Sequence, residues 1–410
     1  MTESGPLSSG PLRDIVVIDL TRALAGPHAG MMLGDMGARV IKVETPGSGD
    51  DTRGWGPPFV GPEDDPISTY FLSCNRNKES ITLDLKSEDG VATLARLAQN
   101  ADVLLENFRP GVMDRLGFSV ERLHELNPRL VILSISGFGH DGPEGGRAGY
   151  DQIAQGEAGL MSLTGPDPEH PTRVGVPIGD LLAGMYGAYG VVAALHERNS
   201  TGVGRVVRTS LLAAIVGVHA FQGTRHLVAG EMPRAQGNHH PSIVPYGLFS
   251  CADGTLQIAV GSDGLWQRFV LEFGLDPRSD GFATNSDRVG NRDAVIAAIN
   301  AVFADQALAD LLPRLEARGI PAGEVRTLDR VYAWDQTRSQ GLVINVDHPV
   351  LGRIELPGPA IRFDDNAFAG GRAEHLPPPA LGAHNESVRR WLDERDGVDG
   401  GNGAGDGEQG

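Results

Sequence analysis

Over the first 230 positions, apolar residues come in short β-branched runs separated by longer stretches of helical periodicity. IVVIDL at 15–20 has the composition of a strand buried on both faces. The turn TRALAGP follows, then a helix predicted over 27–36 with Pro27 at its start and Gly37 past its end. RVIKVE at 39–44 is the next strand. ITLDL at 81–85, a helix at 87–99 and DVLLEN at 102–107 repeat the unit. LVILSIS at 130–136 and VVRTS at 206–210 add two strands before an apolar helix near 211–228. Strands separated by helices imply right-handed crossovers and a parallel sheet, so the expected fold class is α/β with a Rossmann-like large domain.

The pattern changes after Gly230. YGLFS, CADGT and LQIAV predict a β-hairpin over 246–260 with Asp253 and Gly254 at the turn. Helical patterns follow at 264–273, 292–303 and 306–318, giving a smaller α+β unit over 230–324. From Ile320 the chain reads as extended, and a final helix is expected near 386–395. Residues 1–13 are Gly, Ser and Pro rich and read as loose. Residues 397–410 hold seven glycines and no large apolar side chain, so a disordered tail is expected there.

Charge narrows the function. Among 410 residues, 35 Lys and Arg face 53 Asp and Glu, a formal charge of −18. Nucleic-acid and anionic-membrane binding need a basic face, so neither partner is expected. A small anionic ligand held by a few local cations stays compatible. Cys74 and Cys251 form no disulfide framework or zinc spacing, and the N-terminus lacks the pattern of a signal peptide. The uncharged apolar stretch 181–195 has 15 residues and three glycines, short of the roughly 20 a bilayer span needs. A reduced, cytoplasmic protein is expected.

Candidate chemistry concentrates in two places. The first βα turn, Thr21 to Pro27, is the usual ligand position of such a sheet. It contains neither GxGxxG nor a P-loop, which disfavours nicotinamide dinucleotides and ATP. Gly179-Asp180 lies where an extended stretch meets a long apolar helix. Asp180 there is either a helix N-cap or a carboxylate nucleophile for an activated acyl group, and spacing does not choose between them. Asn238-His239-His240-Pro241 lacks a third ligand at fixed spacing, so no metal is expected. Arg76, Lys78, Lys86, Arg109 and Arg115 fall near strand ends, where an anion pocket needs cations.

VIDLTRALAGPHAGMMLGDMGARVIKVE, GDDTRGWGPP, NRNKESITLDLK, ENFRPGVMDRLG, GFGHDGPEGGRAGYD, GVPIGDLLAGMYGAYGVVAALHER and GIPAGEVRTLDRV occur in one order between Leu12 and Arg395. Together they resemble the class III CoA-transferases, a family that includes formyl-CoA and carnitine CoA-transferases and shares its fold with α-methylacyl-CoA racemases. The resemblance implies a large domain built from 14–229 and 325–396 with the small domain inserted, and an interlocked homodimer. It implies that Asp180 attacks an acyl-CoA thioester to form a mixed anhydride and then an aspartyl-CoA thioester, from which a carboxylic acid collects CoA. Coenzyme A is then a substrate, and no tightly bound cofactor is expected. By matched motif, CoA contacts are expected from Leu24, Ala25, Leu83, Lys86, Asn107, Phe108, Arg109, Arg115, Tyr150 and Asp151. Thr45 replaces a family arginine after the Val-Glu strand end, so part of the nucleotide contact differs. Tyr150 stands where the racemases carry histidine, and GNHHPSIVPYGLF stands where formyl-CoA transferase has its glycine-run loop. A 2-methylacyl-CoA racemase and a non-catalytic CoA-binding protein are the alternative readings.

Overall fold

The computed structural model describes residues 9–364 and 370–401. Its larger compact unit comprises residues up to 158, 175–223 and 335 onward, and its smaller unit 159–174 and 224–334. The expected boundaries, 14–229, 230–324 and 325–396, therefore shift, and 159–174 joins the smaller unit.

The larger unit is organised on six parallel strands: β1 (Val16–Asp19), β2 (Arg39–Glu44), β3 (Lys78–Thr82), β4 (Val103–Glu106), β5 (Val131–Ser136) and β6 (Val206–Ser210). Their order across the sheet is β3-β2-β1-β4-β5-β6, with Val17 opposite Val40 on one side and Val103 on the other. Chain direction across the sheet reverses between β1 and β4, and the crevice beyond the carboxyl ends of these strands is where such sheets hold ligands. β3 starts at Lys78 rather than the expected Ile81, because its first half is polar yet buried.

Strand alternation sends Ile18, Ile41, Ile81, Leu104 and Ile132 to one face. There they pack with Leu94 and Leu97 of α2 (Glu88–Gln99) and with Val388 and Leu392 of the C-terminal helix Asn385–Gly401. That helix runs to Gly401, into the stretch 397–410 expected as a disordered tail, of which 402–410 lies outside the described residues. Within 1–13, expected to be loose, the Leu12 amide donates to the Met36 carbonyl at 2.9 Å. Residues 1–8 lie outside the described residues.

On the opposite face lie α1 (Ala25–Asp35), the short α3 (Asp151–Glu157) and the 24-residue α4 (Ile178–Thr201). A Cβ on Gly184 of α4 would sit 2.6 Å from the Ala25 carbonyl oxygen, and one on Gly187 would sit 2.8 Å from the Leu133 side chain. Glycine thus lets α4 lie against both α1 and β5. Among the described residues, α4 alone is a single helix long and apolar enough to cross a membrane, yet this face of it is packed in the core. The single helix expected over 211–228 is broken into Leu211–Gly217 and Ala220–Ala229, with Ala220 at φ +47°.

The smaller unit pairs the expected hairpin, Tyr246–Cys251 and Gly254–Ala259, with a third antiparallel strand, Ala322–Glu324. Its core is aromatic, with Phe249, Trp266, Phe269 and Phe303 nearly free of solvent contact. Short helices at Leu328–Ala333 and Asp335–Ser339 interrupt the extended reading after Ile320. The hairpin Val343–His348/Gly352–Pro357, in the larger unit, restores it.

Candidate active site

Asp180 lies inside the first turn of α4, three residues past Pro177, so it is not the N-cap. Pro177 offers no capping side chain. The cap comes from Asp151 at the start of α3, whose Oδ1 accepts the Gly179 amide at 2.7 Å and the Asp180 amide at 3.4 Å. Gln155 holds the other oxygen, donating from Nε2 at 2.7 Å. Gly179 admits this approach: a Cβ there would lie 3.1 Å from Asp151 Oδ1 and 3.0 Å from Ile215 Cδ1. With Asp151 satisfying the helix-start amides, no donor among the described residues is hydrogen-bonded to the Asp180 carboxylate. Burial, and secondarily the Asp151 charge, push the Asp180 carboxyl up to about 7.

Tyr70 belongs to the same neighbourhood. It sits in the first turn of the helix Thr69–Cys74, capped by the Ser68 hydroxyl, and its ring meets Trp55 edge-on with centroids 5.0 Å apart. Burial and then the Asp180 charge raise its phenol to about 12, so it stays protonated at neutral pH.

The first βα turn rests on buried ion pairs. Lys78 Nζ contacts Asp19 Oδ2 at 2.8 Å and the Pro27 carbonyl at 2.8 Å. Lys42 Nζ contacts Asp50 at 2.7 Å and the Thr21 carbonyl at 2.8 Å. All four side chains are fully buried. Burial favours the neutral Asp19 carboxyl, but Lys78 and Lys42 outweigh it and pull Asp19 down to about 2. Asp50 also accepts the amide of Ala23 at 3.3 Å, a residue held at φ +65°, a conformation that costs a non-glycine residue free energy. Asn107 clamps Arg22 from both sides, accepting its amide at 2.9 Å and donating to its carbonyl at 2.7 Å.

At the carboxyl ends of β1, β2 and β3 the turn borders a cavity of about 640 Å³, a size typical of small-molecule sites. Its lining includes Leu20, Val43, Leu83, Phe108, Arg22 and Lys86. A smaller cavity of about 210 Å³ also has Phe108 in its wall, together with Arg109, Glu106, Ser134, His140 and Arg208. Burial raises the Glu106 carboxyl, and the Ser134 hydroxyl donates to it.

The expected site residues separate into groups. Leu83, Lys86 and Phe108 share the larger cavity, and Asn107 holds Arg22 beside it. Leu24 and Ala25 are buried at the start of α1, and Ala25 is the point of contact with Gly184, one turn from Asp180. Asp151 adjoins Asp180, while Tyr150, the residue before it, is 70% exposed. Arg109 lines only the smaller cavity, and Arg115, exposed on the helix Val112–Arg115, lines neither. Arg76 and Lys78 are corrected outright: they are buried against Asp35 and Asp19 and are structural cations. His239 meets the Phe249 ring edge-on and His240 stacks on Tyr246, and no metal-holding group of three ligands occurs among the described residues. Tyr70 and Arg22 carry no local signal of a role in the sequence, because their neighbours are distant in the chain.

The fold is that of a doubly wound α/β protein, with the larger cavity at the carboxyl ends of the strands, where such sheets hold ligands. Residues 12–385 match CoA-transferase family III. The chain is 40% identical over 383 residues to the succinyl-CoA:glutarate CoA-transferase of Mus musculus, covering 93% of this chain and 86% of that one. It is 40% identical over 395 residues to the succinate–glutarate CoA-transferase of Agrobacterium fabrum, covering 95% and 97%. The crystal structure of a CAIB/BAIF family protein from Brucella suis matches with TM-score 0.82 at 39% identity, over 94% of this chain and 100% of that one. The chain belongs to the class III CoA-transferases, enzymes that use CoA thioesters as substrates.

Proposed function

We propose that the protein moves CoA from an acyl-CoA to a carboxylic acid through covalent intermediates on Asp180. The observation that carries this reading is the carboxylate's isolation. It sits half-buried in the first turn of α4, where Asp151 rather than Asp180 accepts the helix-start amides, and no donor among the described residues is hydrogen-bonded to it. A carboxylate raised to about 7 is more basic than an ordinary one, and basicity raises nucleophilicity.

In the proposed sequence an Asp180 oxygen attacks the thioester carbonyl carbon. The C–S bond breaks and CoA leaves as thiolate, giving a mixed anhydride. The thiolate attacks the aspartyl carbonyl, releasing the donor's carboxylate and leaving an aspartyl-CoA thioester. The acceptor carboxylate attacks that thioester to form a second anhydride. The returning thiolate attacks the acceptor's acyl carbon and regenerates Asp180. The dipole of α4 favours negative charge at each stage, and in this reading the Tyr70 phenol, kept protonated by burial and by the Asp180 charge, is the proposed donor to a carbonyl oxygen. In the racemase reading Asp180 needs a histidine partner, and Tyr150 occupies that position.

The names of the relatives point to succinyl-CoA as donor and glutarate or a similar dicarboxylate as acceptor. We further propose an interlocked homodimer. The direct test incubates the protein with succinyl-CoA and looks for an Asp180 adduct by mass spectrometry and hydroxylamine trapping. Wild-type protein should carry it and exchange CoA by ping-pong kinetics. Asp180→Ala should lose the adduct and at least about a thousandfold in rate, the scale of losing a covalent nucleophile. Full transfer activity in Asp180→Ala, or solvent deuterium entering the α-carbon without an acceptor, would overturn the reading.

A further inference from the structure

Most cations around the carboxyl ends of the first three strands are already neutralised. Lys42 pairs with Asp50, Lys78 with Asp19, Arg76 with Asp35, and Arg53 with Glu44. Two cations lining the larger cavity, Arg22 and Lys86, form no ion pair among the described residues. Arg22 is half-buried. Its guanidinium donates to Thr45 Oγ1 at 2.9 Å and lies 5.8 Å from the Phe108 ring centroid. One bond to a neutral hydroxyl leaves most of its five donors unused and its charge uncompensated.

The carboxylates in the same wall do not compensate it. Glu44 is held by Arg53 at 2.7 and 2.8 Å, by Ser80 at 2.7 Å and by the Asp50 amide at 2.9 Å. Asp84 folds back onto the Lys86 amide at 3.0 Å. The floor is apolar, from Leu20, Val43, Leu83 and Leu116. An apolar floor with a planar, pre-oriented cation on its rim matches a purine carrying a phosphate. The side chain is also independent of the turn's integrity, because Asn107 fixes the Arg22 backbone rather than its guanidinium.

We propose that Arg22, oriented by Thr45, is the principal phosphate-binding residue for the nucleotide end of the CoA substrate, with Lys86 as the second cation. This rests on the CoA-transferase reading and adds to it a residue that sets donor affinity rather than chemistry.

The test compares Arg22→Gln, Arg22→Lys and wild type with two donors, succinyl-CoA and succinyl-pantetheine, the second lacking the nucleotide. Losing a charge-assisted hydrogen bond should raise the KM for succinyl-CoA by about ten- to a hundredfold. The kcat should stay within about twofold, the KM for succinyl-pantetheine should not move, and Arg22→Lys should recover part of the loss. Repeating the measurement with succinyl-dephospho-CoA assigns the contact: a penalty that persists belongs to the diphosphate, one that vanishes to the 3′-phosphate. An unchanged KM for succinyl-CoA overturns the proposal, as does an equal loss with succinyl-pantetheine. Calorimetry with CoA alone separates the two levels of failure. Wild-type protein that binds no CoA overturns the transferase reading and this one with it, whereas equal binding by wild type and Arg22→Gln overturns only the role of Arg22.

Discussion

A carboxyl group raised to about 7, as Asp180 is, changes its charge across the neutral range, and rate and stability respond in opposite senses. The attacking form is the ionised one, so kcat/KM for the donor should rise with pH and level off above about 7. Stability should run the other way. The folded-state value lies above the ordinary 3.8, so between these two the folded chain binds more protons than the unfolded one, and the contribution of this group falls as pH rises through the window. Asp180→Asn should therefore melt at a higher temperature than wild type at pH 8, with the difference closing near pH 4. Asp151→Asn separates the causes. An asparagine oxygen still accepts the Gly179 and Asp180 amides, but the charge is gone, so the kinetic midpoint should drop while staying above the usual carboxylate range, because burial is the larger cause. A midpoint that does not move would remove Asp151 from the account.

At the scale of elements, the crossing of α1 and α4 links the first turn to Asp180. Ala25 belongs to that turn, and its carbonyl occupies the space a side chain at position 184 would need. Gly184→Ala should open the crossing and cost about 1–3 kcal/mol in urea unfolding. Gly146→Ala, where a Cβ meets nothing within 4 Å, should be nearly neutral. Equal costs at both sites would show that the crossing is not the cause. The same elements show how far the sequence is legible. β1, β2, β4, β5 and β6 are visible because each contains at least two consecutive β-branched or aliphatic residues. β3 is misplaced by three residues because Lys78 and Ser80, polar by pattern, are buried by partners on other strands and loops. The matched motifs bring Asp180 and Asp151 forward, but the cap between them spans 28 residues of chain, and no local rule predicts it. The N-cap reading of Asp180 fails for that reason. Tyr70 and Arg22 escape notice likewise, since their meaning lies in Asp180, Thr45 and Asn107, all remote in sequence.

For the whole molecule, α4 poses a problem of coverage. Its inward side, with Ala183, Gly184, Gly187, Ala188 and Val191, is buried against α1 and β5. Its other side carries Met185, Tyr189 and Val192 at helical spacing, and Tyr189 is 75% exposed. A helix apolar around its whole circumference is normally covered on all sides, and one protomer covers only one. The proposed interlocked partner would supply the missing cover, and it also explains how a 24-residue helix of this composition can serve a protein with a formal charge of −18. That charge keeps copies apart at long range, so the proposed association would have to come from apolar burial at the contact. Tyr189→Asp puts a charge in the middle of the stripe without touching the packed side of the helix. Light scattering after gel filtration should find wild type as a dimer and Tyr189→Asp shifted toward monomer. The variant's far-ultraviolet circular dichroism should be unchanged, because the inward packing is intact. A wild-type protein that stays monomeric at micromolar concentration would refute the partner and leave the exposed stripe without an explanation in this fold.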